Sequence, residues 1–473
     1  MLPGFLLVGC LGDQSPLLPA SATSDSEIAP RISTIQRASD QEHQRLLAAF
    51  GGEYRAPRAR AALDDVVQRL AKAGEGQIGH YDITILNSPV VNAFALPNGR
   101  LYVTRGLLAL ANDASEVAAV LSHEMAHVTA NHGIERQKKE EAEVIASRVV
   151  AEVLSSNIAG KQALARGKLR LAAFSRNQEL QADVIGVRML GEAGYDPYAA
   201  ARFLDSMAGY ARFTAVDPDS DQSLDFLSSH PNAPQRVELA RLHARAFGAE
   251  GSIGDRGRDY YLAGIDGLLY GDAPEEGYVR GQTFLHGKLG IRFDVPAGFQ
   301  IDNKADAVLA TGPGDVAIRF DGVADSRGQD LVNYISSGWV TGLKPETIRP
   351  VTINGLQAAT AKAAADRWEF DVTVVRIDNQ IYRFLTAVPA GSKALEPTAA
   401  ILKSSFRKLT PPEVAELKPL RVRVITARPG DTVATLAGRM LGTDRKLDLF
   451  RLINAMTATS TVRAGEKFKI ISE

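Results

Sequence analysis

Cysteine is almost missing from this chain. Cys10 is the only one in 473 residues, so no intrachain disulfide can form. Net charge is nearly missing too. Fifty-four basic and 55 acidic side chains leave −1 at pH 7, which gives no electrostatic basis for gripping nucleic acid or an anionic membrane surface. No uninterrupted apolar run is long enough to span a bilayer, so the mature chain is expected to have no transmembrane helix. The rest is ordinary for a globular protein, with 45% hydrophobic and 23% charged residues. The length allows roughly two to four domains.

Histidine is scarce as well, with eight in all, yet three fall in "LSHEMAHVTANH", Leu121 to His132. This stretch continues a helix that starts at "NDASEVAAVL". Asp113 followed three residues later by Glu116 fits a capping box. His123 and His127 are four apart, so their rings share one helix face and can hold one Zn²⁺. Glu124 projects beside that face, placed to take a proton from an attacking water. His-Glu-x-x-His fixes only three positions, and a catalytic site needs a third protein ligand. The metzincin pattern would put glycine at 130 and histidine at 133, but the chain has Ala130 and Gly133. His132 is one residue off and reads as a supporting group rather than a ligand. Glu179 in "NQELQAD" is the better third ligand. Asp183, one turn on, is then placed to accept a hydrogen bond from a ligand histidine and fix its tautomer.

"LSHEMAHVTANH", "SRNQELQADVIG" and "SSHPNAPQR", in that order, resemble the zinc metallopeptidase family of the CAAX prenyl protease/HtpX type, and within it the soluble periplasmic BepA-like branch. The resemblance covers about residues 36–245. It implies an α+β fold: a mainly helical gluzincin domain with a small sheet over the cleft. It implies one Zn²⁺ per chain, held by His123, His127 and Glu179, with Glu124 as general base. His230 matches the family's His-Pro motif, whose histidine can approach the metal and occlude the water site, implying a latent state. Arg236 matches a basic residue near the cleft that could stabilise an oxyanion. Asn92, Ala93, Phe94 and Ala95 match the edge strand to which an extended substrate adds its backbone. The integral-membrane helices and the tetratricopeptide array of other members are not in this chain.

The remaining segments divide as follows. "LLVGC", ending at Cys10, resembles a bacterial lipobox, so residues 1–10 are read as a signal remnant with lipidation at Cys10. The preceding segment is short and lacks a positive start. Residues 11–35 have linker composition. Residues 36–265 are assigned to the peptidase domain. Residues 284–408, with short alternating strands and a closing helix, read as a separate α+β domain that resembles the PsbP type of photosystem II, in a protein-binding or spacer role. "TPPEVAELKP" reads as a linker. Residues 421–473 form a small unit that resembles a βααβ LysM module, through Gly430-Asp431-Thr432, Leu436-Ala437, Leu452, Asn454, Gly465 and Ile470, which implies peptidoglycan contact.

Together these features predict a zinc endopeptidase of the bacterial envelope, periplasmic and anchored to the outer membrane by lipid. Its expected substrates are unfolded or misassembled envelope polypeptides. The alternatives are a non-catalytic chaperone or assembly factor with a latent zinc site, and a peptidoglycan-associated hydrolase.

Overall fold

The computed structural model describes residues 40–74, 80–135, 176–214, 230, 234–303, 307–325, 328–365 and 367–473. Cys10, the 11–35 segment, Pro231 and the charged stretch after Glu135 lie outside the described residues. The chain divides into two units between Leu46 and Leu47. In the first, residues 40–46 are helical. Everything below belongs to the second.

Helix α1 (Pro57–Ala73) begins with proline in its first turn, where the missing N–H costs nothing. Its Leu63, Val66, Val67 and Leu70 are buried, as their spacing predicts. Strands β1 (Asp82–Leu86), β2 (Ala93–Ala95) and β3 (Arg100–Thr104) form a sheet in the order β1-β3-β2. β1 runs parallel to β3, and β2 is an antiparallel hairpin partner, turned at Pro97–Gly99 with Gly99 at φ +86°. Alternation in "HYDITIL" predicts one buried face, with Thr84 on the open one. Instead Ile83, Thr84, Ile85 and Leu86 are all buried, as in a strand covered on both sides.

Helices α2 (Arg105–Leu110), α3 (Ala114–Thr129), α4 (residues 176–192), α5 (Ala199–Thr214), α6 (Pro234–Ala244) and α7 (Arg258–Ile265) complete the first domain. α3 carries the histidine-rich motif and is buried from Ala114 through Ala126. The Asp113 side chain accepts from Glu116 N at 2.8 Å. Glu116 reaches back one residue further than a capping box requires, to Asn112 N at 2.8 Å. Arg202 from α5 pairs with Asp113 at 3.3 Å and with Asp196 at 2.6 Å, so the head of α3 is tied down by charge as well as by packing.

The second domain starts earlier than its sequence suggests. β4 (Tyr278–Arg280), β5 (Thr283–His286), β6 (Ile291–Asp294) and β14 (Arg407–Lys408) form a small sheet ordered β14-β6-β5-β4. A larger antiparallel sheet runs β10-β11-β12-β13-β9-β8-β7. Its strands are β7 (Gln300–Asn303), β8 (Val308–Gly312), β9 (Val316–Ala324), β10 (Leu343–Ile353), β11 (Leu356–Ala365), β12 (Trp368–Ile377) and β13 (Gln380–Pro389). Each face of the sheet has its own core. α8 (Leu331–Ser336) packs with Val372, Val374 and Ile381 on one side. α9 (Leu395–Ser405) packs with Val375, Tyr382 and Phe384 on the other. The segment read as a linker holds a short helix, α10 (Pro411–Glu416), closed by a Thr410–Glu413 capping box.

The last segment folds as β15 (Arg421–Thr426), α11 (Val433–Gly438), α12 (Lys446–Ile453) and β16 (Lys467–Ser472), with β15 antiparallel to β16. It is not a unit of its own. Val422, Leu436, Phe450 and Ile470 share one continuous core with Leu107, Val117 and Leu262 of the first domain. Val422 also exchanges backbone hydrogen bonds with Gly267 and Leu268 at 2.8 Å. Apolar side chains on both faces of so small a unit can be buried only against a neighbour, and the first domain supplies it.

Candidate metal centre

Two helices build the site. Gly186 of α4 lies against the α3 backbone, and a Cβ there would meet His123 N at 3.1 Å and Cα at 3.2 Å. The missing side chain lets the helices approach closely. Glu179 and Asp183, on the preceding turns of α4, then face His123 and His127.

Four residues converge: His123, His127, Glu179 and His230, with one donor atom from each and all of these within 4.8 Å of one another. His123 Nε2 lies 3.0 Å from His127 Nε2 and 3.3 Å from Glu179 Oε2. His127 Nε2 is 3.3 Å from Glu179 Oε1. His230 Nδ1 is 3.0 Å from both Glu179 oxygens and 3.3 Å from His123 Nε2. A tetrahedral ion with bonds of about 2.0–2.1 Å sets its donors about 3.3–3.4 Å apart, close to these separations. Nitrogen and carboxylate donors suit zinc and other divalent ions of similar character. The donor set therefore fits a metal.

The outer nitrogens of both α3 imidazoles are engaged elsewhere, which turns their Nε2 atoms inward. His123 Nδ1 lies 3.0 Å from Asp183 Oδ1. His127 Nδ1 lies 3.0 Å from His132 Nδ1, and His132 Nε2 lies 3.2 Å from Gln181 Oε1. His132 lies outside the four converging donors, against the outer nitrogen of His127. Gln178 and Gln181 carry no sequence signal beyond sharing a helix with Glu179.

Charge explains how the cluster holds together. Burial pushes Asp183 toward its neutral form, but hydrogen bonds from Arg236 and His123 prevail and hold it below the usual carboxylate range. Burial also opposes ionisation of Glu179, yet three surrounding histidines keep its carboxyl far below its ordinary value. Burial disfavours charged His123 too, but Asp183 and Glu179 outweigh it and raise His123 to about 9. His127 is lowered, chiefly by burial. The two carboxylates thus favour positive charge on His123, while burial disfavours it on His127.

The oxyanion role expected for Arg236 is not the one its geometry fits. Its Nε and Nη2 grip Asp183 at 2.7 Å each, and Nη1 lies 3.1 Å from Glu179. All three guanidinium nitrogens are engaged by carboxylates, and the side chain is buried, so Arg236 stands behind the donors. Glu124 is buried beside them, its Oε1 3.5 Å from His230 Nε2. Asn92, Ala93, Phe94 and Ala95 lead into and form β2, the edge of its sheet, which packs on α3. Phe94 stacks on Tyr102 with centroids 4.9 Å apart.

Comparison with known proteins agrees with this geometry. Residues 57–244 match the family model described as Peptidase family M48, and every residue of the cluster lies inside that span. The chain therefore contains an M48-family peptidase domain.

Among curated relatives, the mitochondrial metalloendopeptidase OMA1 of Arabidopsis thaliana is 33% identical over 159 residues, 34% of this chain and 30% of that protein. The putative beta-barrel assembly-enhancing protease of Vibrio cholerae is 27% identical over 256 residues, 50% of this chain and 52% of that one. The beta-barrel assembly-enhancing protease of Escherichia coli K12 is 27% identical over 188 residues, 38% and 37% of the two chains. The chain thus spans between about a third and a half of the length of these relatives. A solved cyanobacterial PsbP from Synechocystis matches 29% of this chain at 14% identity and a TM-score of 0.22, too weak a likeness to carry argument. Among the described residues, no helix is long and apolar enough to cross a membrane.

Proposed function

We propose that this chain is a zinc-dependent endopeptidase that hydrolyses peptide bonds in unfolded or misassembled proteins of the bacterial envelope. The observation that carries the proposal is the convergence of one donor atom each from His123, His127, Glu179 and His230, all within 4.8 Å of one another, with Glu124 beside them. A bound zinc would supply Lewis acidity toward the scissile carbonyl and lower the pKa of the attacking water. Glu124 takes the proton from that water and returns it to the leaving amine. Asp183 and Arg236 hold His123 in place. The edge strand β2 receives an extended segment by backbone pairing, which favours clients that expose unpaired strand. The names of the β-barrel assembly-enhancing relatives support an envelope client.

His230 fills the fourth donor position and sits against Glu124, which favours a latent resting form. Substrate would enter only when His230 withdraws. The periplasmic location, the lipid anchor at Cys10 and glycan contact through residues 421–473 belong to the same reading.

The test measures zinc content and casein cleavage for the wild type, Glu124→Gln and His230→Ala. Stoichiometric zinc throughout, with activity lost in the first variant and raised in the second, is the expected outcome. Zinc without cleavage of any unfolded protein by any of the three would favour a chaperone or assembly factor. Release of muropeptides from purified sacculi would favour the peptidoglycan hydrolase.

A further inference from the structure

We propose that His132 is a positioning residue that holds His127 in one tautomer, its Nε2 lone pair turned toward the ion site, through a neutral imidazole relay ending on Gln181. This rests on the metallopeptidase reading above.

The argument follows hydrogen-bond polarity. Gln181 Oε1 can only accept, so at 3.2 Å it places a proton on His132 Nε2. A neutral His132 then has a bare Nδ1. That atom lies 3.0 Å from His127 Nδ1, which must be the donor. With its proton on Nδ1, His127 presents a bare Nε2, and this atom faces His123 Nε2 and Glu179 Oε1.

The backbone is shaped for this contact. α3 ends at Thr129 with Ala130 as its C-cap, and Asn131 adopts φ +56°, a left-handed conformation that asparagine tolerates better than most residues. The chain turns back and returns His132 to the outer side of His127. Gln178 Nε2 then donates to His132 O at 3.2 Å, and His132 is 2% exposed.

The two α3 ligands are therefore supported by different chemistry. His123 leans on Asp183, an anion backed by Arg236. His127 leans on a neutral ring. Ligand histidines usually lean on a carboxylate, a carbonyl or water. A further carboxylate here would add negative charge to a buried cluster that already holds Glu124, Glu179 and Asp183. The imidazole relay sets the tautomer without that charge.

The test compares the wild-type chain with His132→Leu and His132→Asn. Zinc affinity is measured by competition with a chromophoric chelator, and the melting temperature of each metal-free chain is measured alongside. His132→Leu is expected to weaken zinc binding by about 10–100-fold, a loss larger than its fall in metal-free melting temperature accounts for. His132→Asn keeps an acceptor near the Nδ1 position and is expected to recover most of the affinity. Unchanged affinity in His132→Leu overturns the proposal. So does an equal loss in both variants that tracks a fall in metal-free stability. A wild-type chain that takes no zinc would instead refute the metallopeptidase reading, and the relay with it.

Discussion

Replacing Lys469 by Met tests whether the C-terminal strand–helix–helix–strand segment is built into the peptidase core. Lys469 is fully buried, and its Nζ donates to Ala109 O, Leu110 O and Ala111 O at 2.8, 3.0 and 2.6 Å. Those carbonyls end α2, immediately before Asn112 and Asp113 open the motif helix α3. Methionine has a similar length and no donor, so Ala109 O and Ala111 O lose the Lys469 donor while Leu110 O keeps Asn112 Nδ2 at 3.3 Å, at about 1–3 kcal/mol for each carbonyl left without a donor. Against this stands the cost of burying an ammonium. Burial pushes Lys469 down to about 7, reinforced by Arg258 and opposed by Glu116 and Asp113.

Between pH 7 and the ordinary lysine value of 10.5 the unfolded chain binds a proton that the folded chain lacks, so wild-type stability rises with pH across that window. The rise is worth up to about 5 kcal/mol, and Lys469→Met cannot show it. The variant is therefore expected to lose little at pH 6 and several kcal/mol by pH 9.5. Urea unfolding at pH 6, 7.5 and 9.5, with hydrogen exchange followed over residues 105–129, reads both the size and the place of the loss. A difference between the two proteins that is constant with pH would refute the reasoning.

Four other outcomes follow from the same geometry. Glu124→Gln should keep its metal and lose at least about 10²–10⁴-fold in peptide hydrolysis, measured on casein. Arg236→Met strands a buried Asp183 carboxylate and should cost roughly 3–5 kcal/mol, seen as a lower melting temperature in the metal-free chain. Gly186→Val should push α4 away from His123 and abolish stoichiometric zinc binding in an otherwise folded chain, checked by metal analysis and circular dichroism. Chelation of bound metal should lower the melting temperature, since a ligand at 100 times its Kd contributes about 2.7 kcal/mol. An unchanged melt would argue against the site.

The first domain was legible where chemistry and periodicity coincide. His123, Glu124 and His127 stand out because their residue types are scarce and their spacing is helical. Glu179 and Asp183 stand out only beside them. α1 and the β2–β3 hairpin follow from apolar spacing and a Pro-Asn-Gly turn. Other features depend on tertiary context that no local window holds. β11 reads "LQAATAKAAA", whose alanines favour helix, yet it is an inner strand. Ala359, Ala361 and Ala363 lie in the core beneath α8, where small side chains fit. Lys469 reads as one more surface charge in "KFKII" and is instead the most deeply buried cation of its segment. Arg236 looked like a group for substrate because its motif lies near the cleft, but no spacing rule reveals Asp183 waiting across the helix pair.

α4 is the pivot of the site, because its residues serve different tasks on adjoining faces. Glu179 points into the cluster, and Asp183, one turn on, reaches His123. Gln178 and Gln181, also one turn apart, take the carbonyl and the ring of His132. Gly186 supplies the close approach that makes these contacts reachable. A small rotation of α4 about its own axis would disturb the third donor and the supports of both α3 histidines at once. Strong anchoring of α3 at its other end, through Asp113, Glu116 and Arg202, therefore bears directly on the metal centre. If α3 were free to slide, the supports on α4 would orient rings that no longer converge. The core shared with residues 421–473 adds to that anchoring, so the C-terminal segment contributes to the geometry of the site without touching it.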